Sequence, residues 1–340
     1  MAEKKSRKAS KSPKRQNRIL VFDLVRILCI AIIVYDHSRL LIIPEINQYF
    51  FADAMGPFNI YTNGLQGYAV YGLILISGAV LEYNYQGIEK LHGYLQFLFR
   101  RFIRLYPAFW MSLILGLILF VVLSPLISSA VWLNSIPSLL FEFTGFFVVL
   151  GQGPGNINNM GWFIATIVSL YILYPWFSKI IRKYGLGALA GFCLMSWGLR
   201  YLILTYNIVP INLFWRWFPL CNAFEFCLGI YIVQANLYPK KVNTSPVIRE
   251  LSDLCYYIFL FHTIVITAFV KYLAYPPSPL AVFDYSILPN NPYAANTIDY
   301  FQMMIAVFVV SWIAMKIDAR IRAWIMQRDA IRNFLNVENS

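Results

Sequence analysis

Charge is scarce in this chain: Asp, Glu, Lys and Arg make up 13% of its 340 residues, against 59% hydrophobic. That balance excludes an ordinary soluble domain, because the apolar residues gather into runs near the length of a bilayer span. Short alternating strands are also missing, which excludes a transmembrane β-barrel. Cysteine is sparse: Cys29, Cys193, Cys221, Cys227 and Cys255 are scattered through apolar segments. They read as small core hydrophobes, which leaves no disulfide framework and no metal site. Acidic residues number 16 against 28 Lys and Arg, for a formal charge of +12. The excess is concentrated in Lys4, Lys5, Arg7, Lys8, Lys11, Lys14, Arg15 and Arg18, opposed there by Glu3. Such a tail fixes topology and touches anionic membrane lipid, so no nucleic-acid partner is expected. No small-residue cleavage pattern follows it, so the next apolar run is kept as a transmembrane helix and not a signal peptide.

What the chain has is a series of apolar runs near residues 19–43, 66–84, 102–125, 159–180, 185–206, 215–236, 250–273 and 299–319. The expected fold is all-α, a polytopic transmembrane helical bundle of about 8–10 spans, with an interfacial or re-entrant helix near 136–150. Residues 1–18 are expected to be a disordered basic cytoplasmic tail, 19–325 a single transmembrane domain and 326–340 a second cytoplasmic tail. The Lys and Arg clusters place both termini in the cytoplasm, with the cell membrane as the location. Two long outer segments, Pro44–Gln66 and Tyr275–Ile298, are rich enough in turn residues to build a binding surface.

Within the first run, Arg26 and His37 stand eleven positions apart. On a helix that spacing returns to within ~20° of the same face and separates the two groups by ~17 Å. Ionisable groups at membrane depth need a partner or a role. Asp23, three residues before Arg26, is placed to neutralise and orient the guanidinium, as a structural ion pair or as part of a ligand site. Imidazole suits the removal of a hydroxyl proton near neutral pH, which makes His37 a candidate general base. Its neighbour Asp36 points about 100° away and is not expected to orient it directly. Arg101 and Arg104 share a helix face and form either a phosphate clamp or a positive-inside anchor. Glu225 and His262 are ionisable groups in apolar spans, each a functional candidate or a buried hydrogen-bonding group. Arg216 sits between aromatics, where cation–π packing is the simplest account.

In order, these segments resemble the acyltransferase-3 family of integral membrane acyltransferases. Arg26 and His37 after FDLVR are similar to its first-span arginine–histidine pattern, and Ser77–Gly78 in YGLILISGAVL to its second-span serine–glycine element. RRFIRLYPAFW, with Arg101, Arg104 and Pro107, resembles its third-span opening. GWFIATIVSLYILYPW, with Trp162, Tyr171 and Pro175, and CYYIFLFHTIVI resemble two later spans. One departure is clear: acidic residues that many members modifying O-antigen carry after the tryptophan are here Ile167 and Val168.

The resemblance implies an acyl-CoA-dependent O-acyltransferase that moves an acyl group, usually acetyl, from cytoplasmic acyl-CoA to a hydroxyl of an extracytoplasmic or lipid-linked glycan. It implies His37 as catalytic residue and a donor site at Arg26, Arg101, Arg104 and Asp23. Asp36, Ser77, Trp162, Tyr171, Arg216, Glu225 and His262 are then candidates for an acceptor or supporting site. No permanently bound cofactor is expected, acyl-CoA (acetyl-CoA) being a substrate; homo-oligomerisation is left open. The rival reading is a transporter or flippase of a glycan or anionic substrate, against which the sequence shows no internal repeat.

Overall fold

The structure, a computed structural model, describes residues 18–38, 65–85, 87–88, 90–122, 140–146, 157–206, 218–239, 244–269 and 292–336. The long helices are α1 (Leu20–Ser38), α2 (Leu65–Asn84), α3 (Leu91–Val122), α4 (Gly161–Tyr184), α5 (Leu186–Tyr206), α6 (Ala223–Gln234), α7 (Pro246–Phe269) and α8 (Pro292–Met326), followed by the short α9 (Asp329–Asn336). They coincide with the apolar runs expected from the sequence, and no strand occurs among the described residues. Five of them, α3, α4, α5, α7 and α8, contain stretches long and apolar enough to cross a membrane. The surface agrees with this: Leu28, Ile114, Leu194, Phe301 and Ile305 face outward on the bundle, where lipid takes the place of water. The chain is an integral membrane helical bundle.

The basic tail through residue 17, Arg216, and most of the segments 44–66 and 275–298 lie outside the described residues. Of the expected interfacial helix near 136–150, residues 140–144 form a short helical turn against α3. Tyr106 Oη donates to Thr144 O at 2.8 Å and Trp110 Nε1 to Phe143 O at 2.9 Å. Glu142, buried in that turn, accepts from the backbone N–H groups of Ile157 and Asn158. The start of α4 is thereby fixed.

Helix packing brings the polar residues into register. α2 and α6 approach most closely, because a Cβ on Gly78 would strike the Phe226 carbonyl and a Cβ on Gly229 the Leu75 carbonyl. Small residues at such a crossing let two backbones meet, the usual device where lipid supplies no hydrophobic drive between helices. Pro107 and Pro175 interrupt the hydrogen-bond ladders of α3 and α4. In the turn before each proline a tyrosine hydroxyl from another helix donates to a backbone carbonyl: Tyr256 to Leu105 O at 2.7 Å, Tyr94 to Ile172 O at 2.9 Å. Gly185 alone joins α4 to α5, with a φ of 55° that favours glycine, and its N–H caps Ile181 O at 2.8 Å. α9 folds back on α3, with Phe334 edge-on to His92 and Phe99.

Candidate active site

α1 and α7 run side by side in the same direction and are linked at two levels. At the lower level Arg26 Nη1 donates to Ser252 Oγ at 2.6 Å and to Asp23 Oδ1 at 3.3 Å, and Ser252 Oγ donates to the same carboxylate oxygen at 2.6 Å. At the upper level His37 Nδ1 and His262 Nε2 are 3.0 Å apart. The spacing is eleven residues on α1 and ten on α7. One helical seam therefore carries a cation at one end and a pair of imidazoles at the other, ~17 Å along.

The protons of the histidine pair follow from its partners. Nδ1 of His262 lies 2.9 Å from the carbonyl oxygens of both Ile258 and Phe259. Carbonyls only accept, so this nitrogen carries the hydrogen. In the neutral ring Nε2 is then an acceptor, and His37 Nδ1–H is its donor. The lone pair of His37 falls on Nε2, to which Gln66 Nε2 donates at 2.9 Å. His262 is fully buried, and the level of its helix is fixed by Asn158, whose amide donates to Leu260 O and to Ser112 Oγ, each at 2.9 Å. Asp36, the chain neighbour of His37, is half-buried.

Between the two levels runs a narrow cavity of about 110 Å³. Arg26, Arg101 and Arg104 line its lower part, Ser77, Tyr171 and Cys255 line its wall, and Phe163, Phe259 and Ile30 close its upper part. The Phe163 and Phe259 rings meet at 4.7 Å, and Phe259 is 6.1 Å from the His262 ring. The cavity thus stops one aromatic ring short of the histidine pair. Arg101 is buried with its guanidinium 4.6 Å from the Tyr85 ring centre and 5.8 Å from that of Tyr171, and its Nε has no hydrogen-bond partner. Arg104 makes no ion pair among the described residues and also borders two further cavities. Ile167, one of the positions where the acidic residues are absent, contributes a methyl wall.

Several sequence candidates sit elsewhere. Glu225 pairs with Arg200 at 2.8 Å between α5 and α6, and the guanidinium lies over the rings of Tyr71 and Trp197. Trp162 is buried against Phe163 at the start of α4, next to the upper end of the cavity and not in its lining. Sequence reasoning did not single out Arg200, Gln66, Ser252 or Cys255. Arg200 was open to the rule applied to Glu225, an ionisable group inside an apolar span. Gln66 and Ser252 carry no local signal.

Also missed was Glu82, a fully buried carboxylate at the lower end of α2. Tyr174, Ser178, Arg182 and Gln234 all donate to it, at 2.9, 2.6, 2.9 and 2.9 Å. It ties α2, α4 and α6 together outside the cavity.

A cation group, a narrow tube with an apolar upper end and a base with its lone pair fixed are suited to a long anionic donor whose reactive end must reach a proton acceptor. No curated protein and no solved structure matches the chain. A protein family does: the one described as an acyltransferase domain matches residues 19–246, from the first residue before α1 to the first residue of α7. That stretch holds Arg26, His37, Ser77, Arg101, Arg104 and Tyr171, though not His262, and by it the chain belongs to the acyltransferase-3 family.

Proposed function

We propose that this membrane acyltransferase takes an acyl group, acetyl in the simplest case, from cytoplasmic acyl-CoA and transfers it to a hydroxyl of an extracytoplasmic or lipid-linked glycan. The observation that carries the reading is the cavity that starts among Arg26, Arg101 and Arg104 and stops one ring below His37 and His262. On this reading the arginine end faces the cytoplasm of the cell, both termini lie there, and the histidine end faces the acceptor.

The phosphates of the donor stay at the arginine end, where guanidinium forks suit them. The pantetheine arm threads the cavity past Ser77 and Tyr171, and its length is comparable to the ~17 Å between Arg26 and His37. Turning one of the Phe163 and Phe259 rings aside brings the thioester to the histidine pair. The acceptor hydroxyl replaces the Gln66 amide at His37 Nε2. As the hydroxyl oxygen attacks the thioester carbon, His37 Nε2 takes its proton; the C–S bond breaks, and the departing CoA thiolate receives that proton back as a thiol. While His37 holds the extra proton, its Nδ1–H stays bonded to His262 Nε2, which orients the ring and steadies its charge.

Release of free CoA thiol from acetyl-CoA by purified protein supplied with a glycan acceptor tests the assignment. His37→Ala lowers the rate by about 10²–10⁴-fold, the range for general-base help, while CoA still binds. A variant that turns over like the parent ends the assignment. A parent that binds and moves a glycan without releasing thiol is a transporter.

A further inference from the structure

The narrow cavity adjoins, at Arg104, Asp253 and Tyr256, a much larger one of about 880 Å³. Its charged lining is six cations, Arg18, Arg100, Arg104, Arg249, Lys316 and Arg322, and two carboxylates, Glu250 and Asp253. Three of the cations are neutralised in place. Arg18 meets Asp253 at 2.5 Å, Lys316 meets Glu250 at 2.9 Å, and Arg322 meets Asp318 at 2.7 Å. The other three have no carboxylate within ion-pair distance among the described residues. Arg100 donates to the Leu335 carbonyl at 3.3 Å. Nε of Arg249 is buried with no hydrogen-bond partner. Arg104 stands where the wide cavity, the narrow cavity and a small pocket beside Arg18 and Asp23 meet. Just inside, the buried Arg101 adds a fourth guanidinium, again with an unpartnered Nε.

Arg100 and Arg249 are half-buried and Arg104 is exposed to the cavity; guanidinium groups gathered in one cleft with no carboxylate paired to them attract an anionic ligand. We infer that this vestibule is a polyanion site for the phosphorylated nucleotide end of the donor, with Arg100, Arg104 and Arg249 holding its pyrophosphate and a ribose monophosphate. The inference rests on the acyl-CoA reading above and extends it to residues that reading leaves unassigned. Size supports the division, since about 880 Å³ falls within the range of sites for nucleotide-sized ligands, whereas about 110 Å³ is too small for a nucleotide and suits only a slender arm. Charge supports it too. A pyrophosphate diester and a phosphate monoester together bring roughly four negative charges, matching Arg100, Arg104, Arg249 and the adjoining Arg101. Arg249, Lys316 and Arg322 come from α7 and α8, beyond residue 246 where the family match ends. The last third of the chain therefore completes the donor site.

Equilibrium binding to the full-length protein in zwitterionic-lipid nanodiscs tests this, with CoA, 3′-dephospho-CoA and pantetheine as probes. The parent binds CoA about 10–100-fold more tightly than 3′-dephospho-CoA, the scale of one or two charge-assisted hydrogen bonds, and the CoA affinity falls with added salt while pantetheine binding does not. Arg100→Gln and Arg249→Gln each weaken CoA by about tenfold or more, and at least one of them erases the preference for the 3′-phosphate. If a variant does not fold, the parent's own ranking of the three probes and their salt response still decide. Equal affinity of the parent for CoA and 3′-dephospho-CoA, or unchanged CoA binding in both variants, overturns the vestibule and leaves the donor assignment standing. A parent that binds no CoA overturns both. If anionic lipid in the disc displaces CoA from the parent and Arg249→Gln loses lipid instead of CoA, the vestibule is a headgroup site and the inference fails.

Discussion

His37 Nδ1 donates to His262 Nε2 at 3.0 Å, and the two residues are 225 positions apart in the chain. On the same two helices Arg26 donates to Ser252 at 2.6 Å, so the seam is held at both ends by side chains that face the cavity or lie just above it. A base whose other ring nitrogen is engaged this way has one tautomer, and its lone pair points at the position that Gln66 occupies. Substitutions along the seam separate orientation from donor binding.

Replacing His262 with Leu removes the acceptor for His37 Nδ1–H and lets the ring turn over between tautomers. Turnover falls by about 10–100-fold with KM for the acyl donor unchanged, because the residue acts through His37 and touches no part of the donor's phosphate end. His262→Gln, whose amide oxygen can accept the same hydrogen, recovers part of the loss. A purely structural His262 would show equal losses in both variants and a drop in the amount of folded protein.

Ser77 lines the narrow cavity and spends its hydroxyl on the Leu73 carbonyl at 2.9 Å. Ser77→Leu fills the tube without altering any cation. Acyl transfer falls by tenfold or more while CoA affinity stays within about threefold, since the nucleotide end remains outside the tube and phosphate contacts supply most of the binding. Steady-state thiol release and equilibrium CoA binding on the same preparation read the two effects separately.

Gly229 faces the Leu75 carbonyl so closely that an added methyl has no room. Gly229→Ala forces α2 and α6 apart and destabilises the bundle by about 1–3 kcal/mol, the range for overpacking. Thermal unfolding in detergent measures it. Because α2 also carries Ser77 and Gln66, activity falls further than stability alone accounts for.

Glu82, itself fully buried, gathers four donors, of which Arg182 is half-exposed. Glu82→Ala leaves Tyr174, Ser178 and Gln234 without this acceptor, while Arg182 turns to solvent, and costs about 1–3 kcal/mol, the range for stranded buried donors. The loss appears as a lowered unfolding midpoint, and the protein that remains folded binds CoA as the parent does, because none of the five residues lines the narrow cavity or the vestibule.

Much of this architecture is written locally. Apolar runs of span length locate α1 to α8, and the eleven-residue interval puts Arg26 and His37 on one stripe before any contact is known. His262 and Glu225 stand out by the same rule, as ionisable groups where lipid or core is expected. What local reading cannot supply is pairing. Ser252 is 226 residues from Arg26 and looks like any helical serine; Gln66 is an ordinary polar residue at the start of a span. Arg200, open to the same rule, is the partner of Glu225, and their pairing is visible only once α5 and α6 are packed. Glu82 escaped notice for a related reason, because a carboxylate two residues before the end of a span reads as a solvated flank until four donors close around it.

The proposed mechanism needs one continuous path from the arginine end to His37. A cryo-EM map of the protein bound to a thioether analogue of acetyl-CoA tests it most directly. The expected density has phosphates against Arg100, Arg104 and Arg249, the arm in the cavity beside Ser77 and Tyr171, and the sulfur beyond Phe259 within reach of His37 Nε2. A bound analogue whose arm lies outside that cavity, or whose sulfur sits away from His37 while the phosphates are in place, would contradict it.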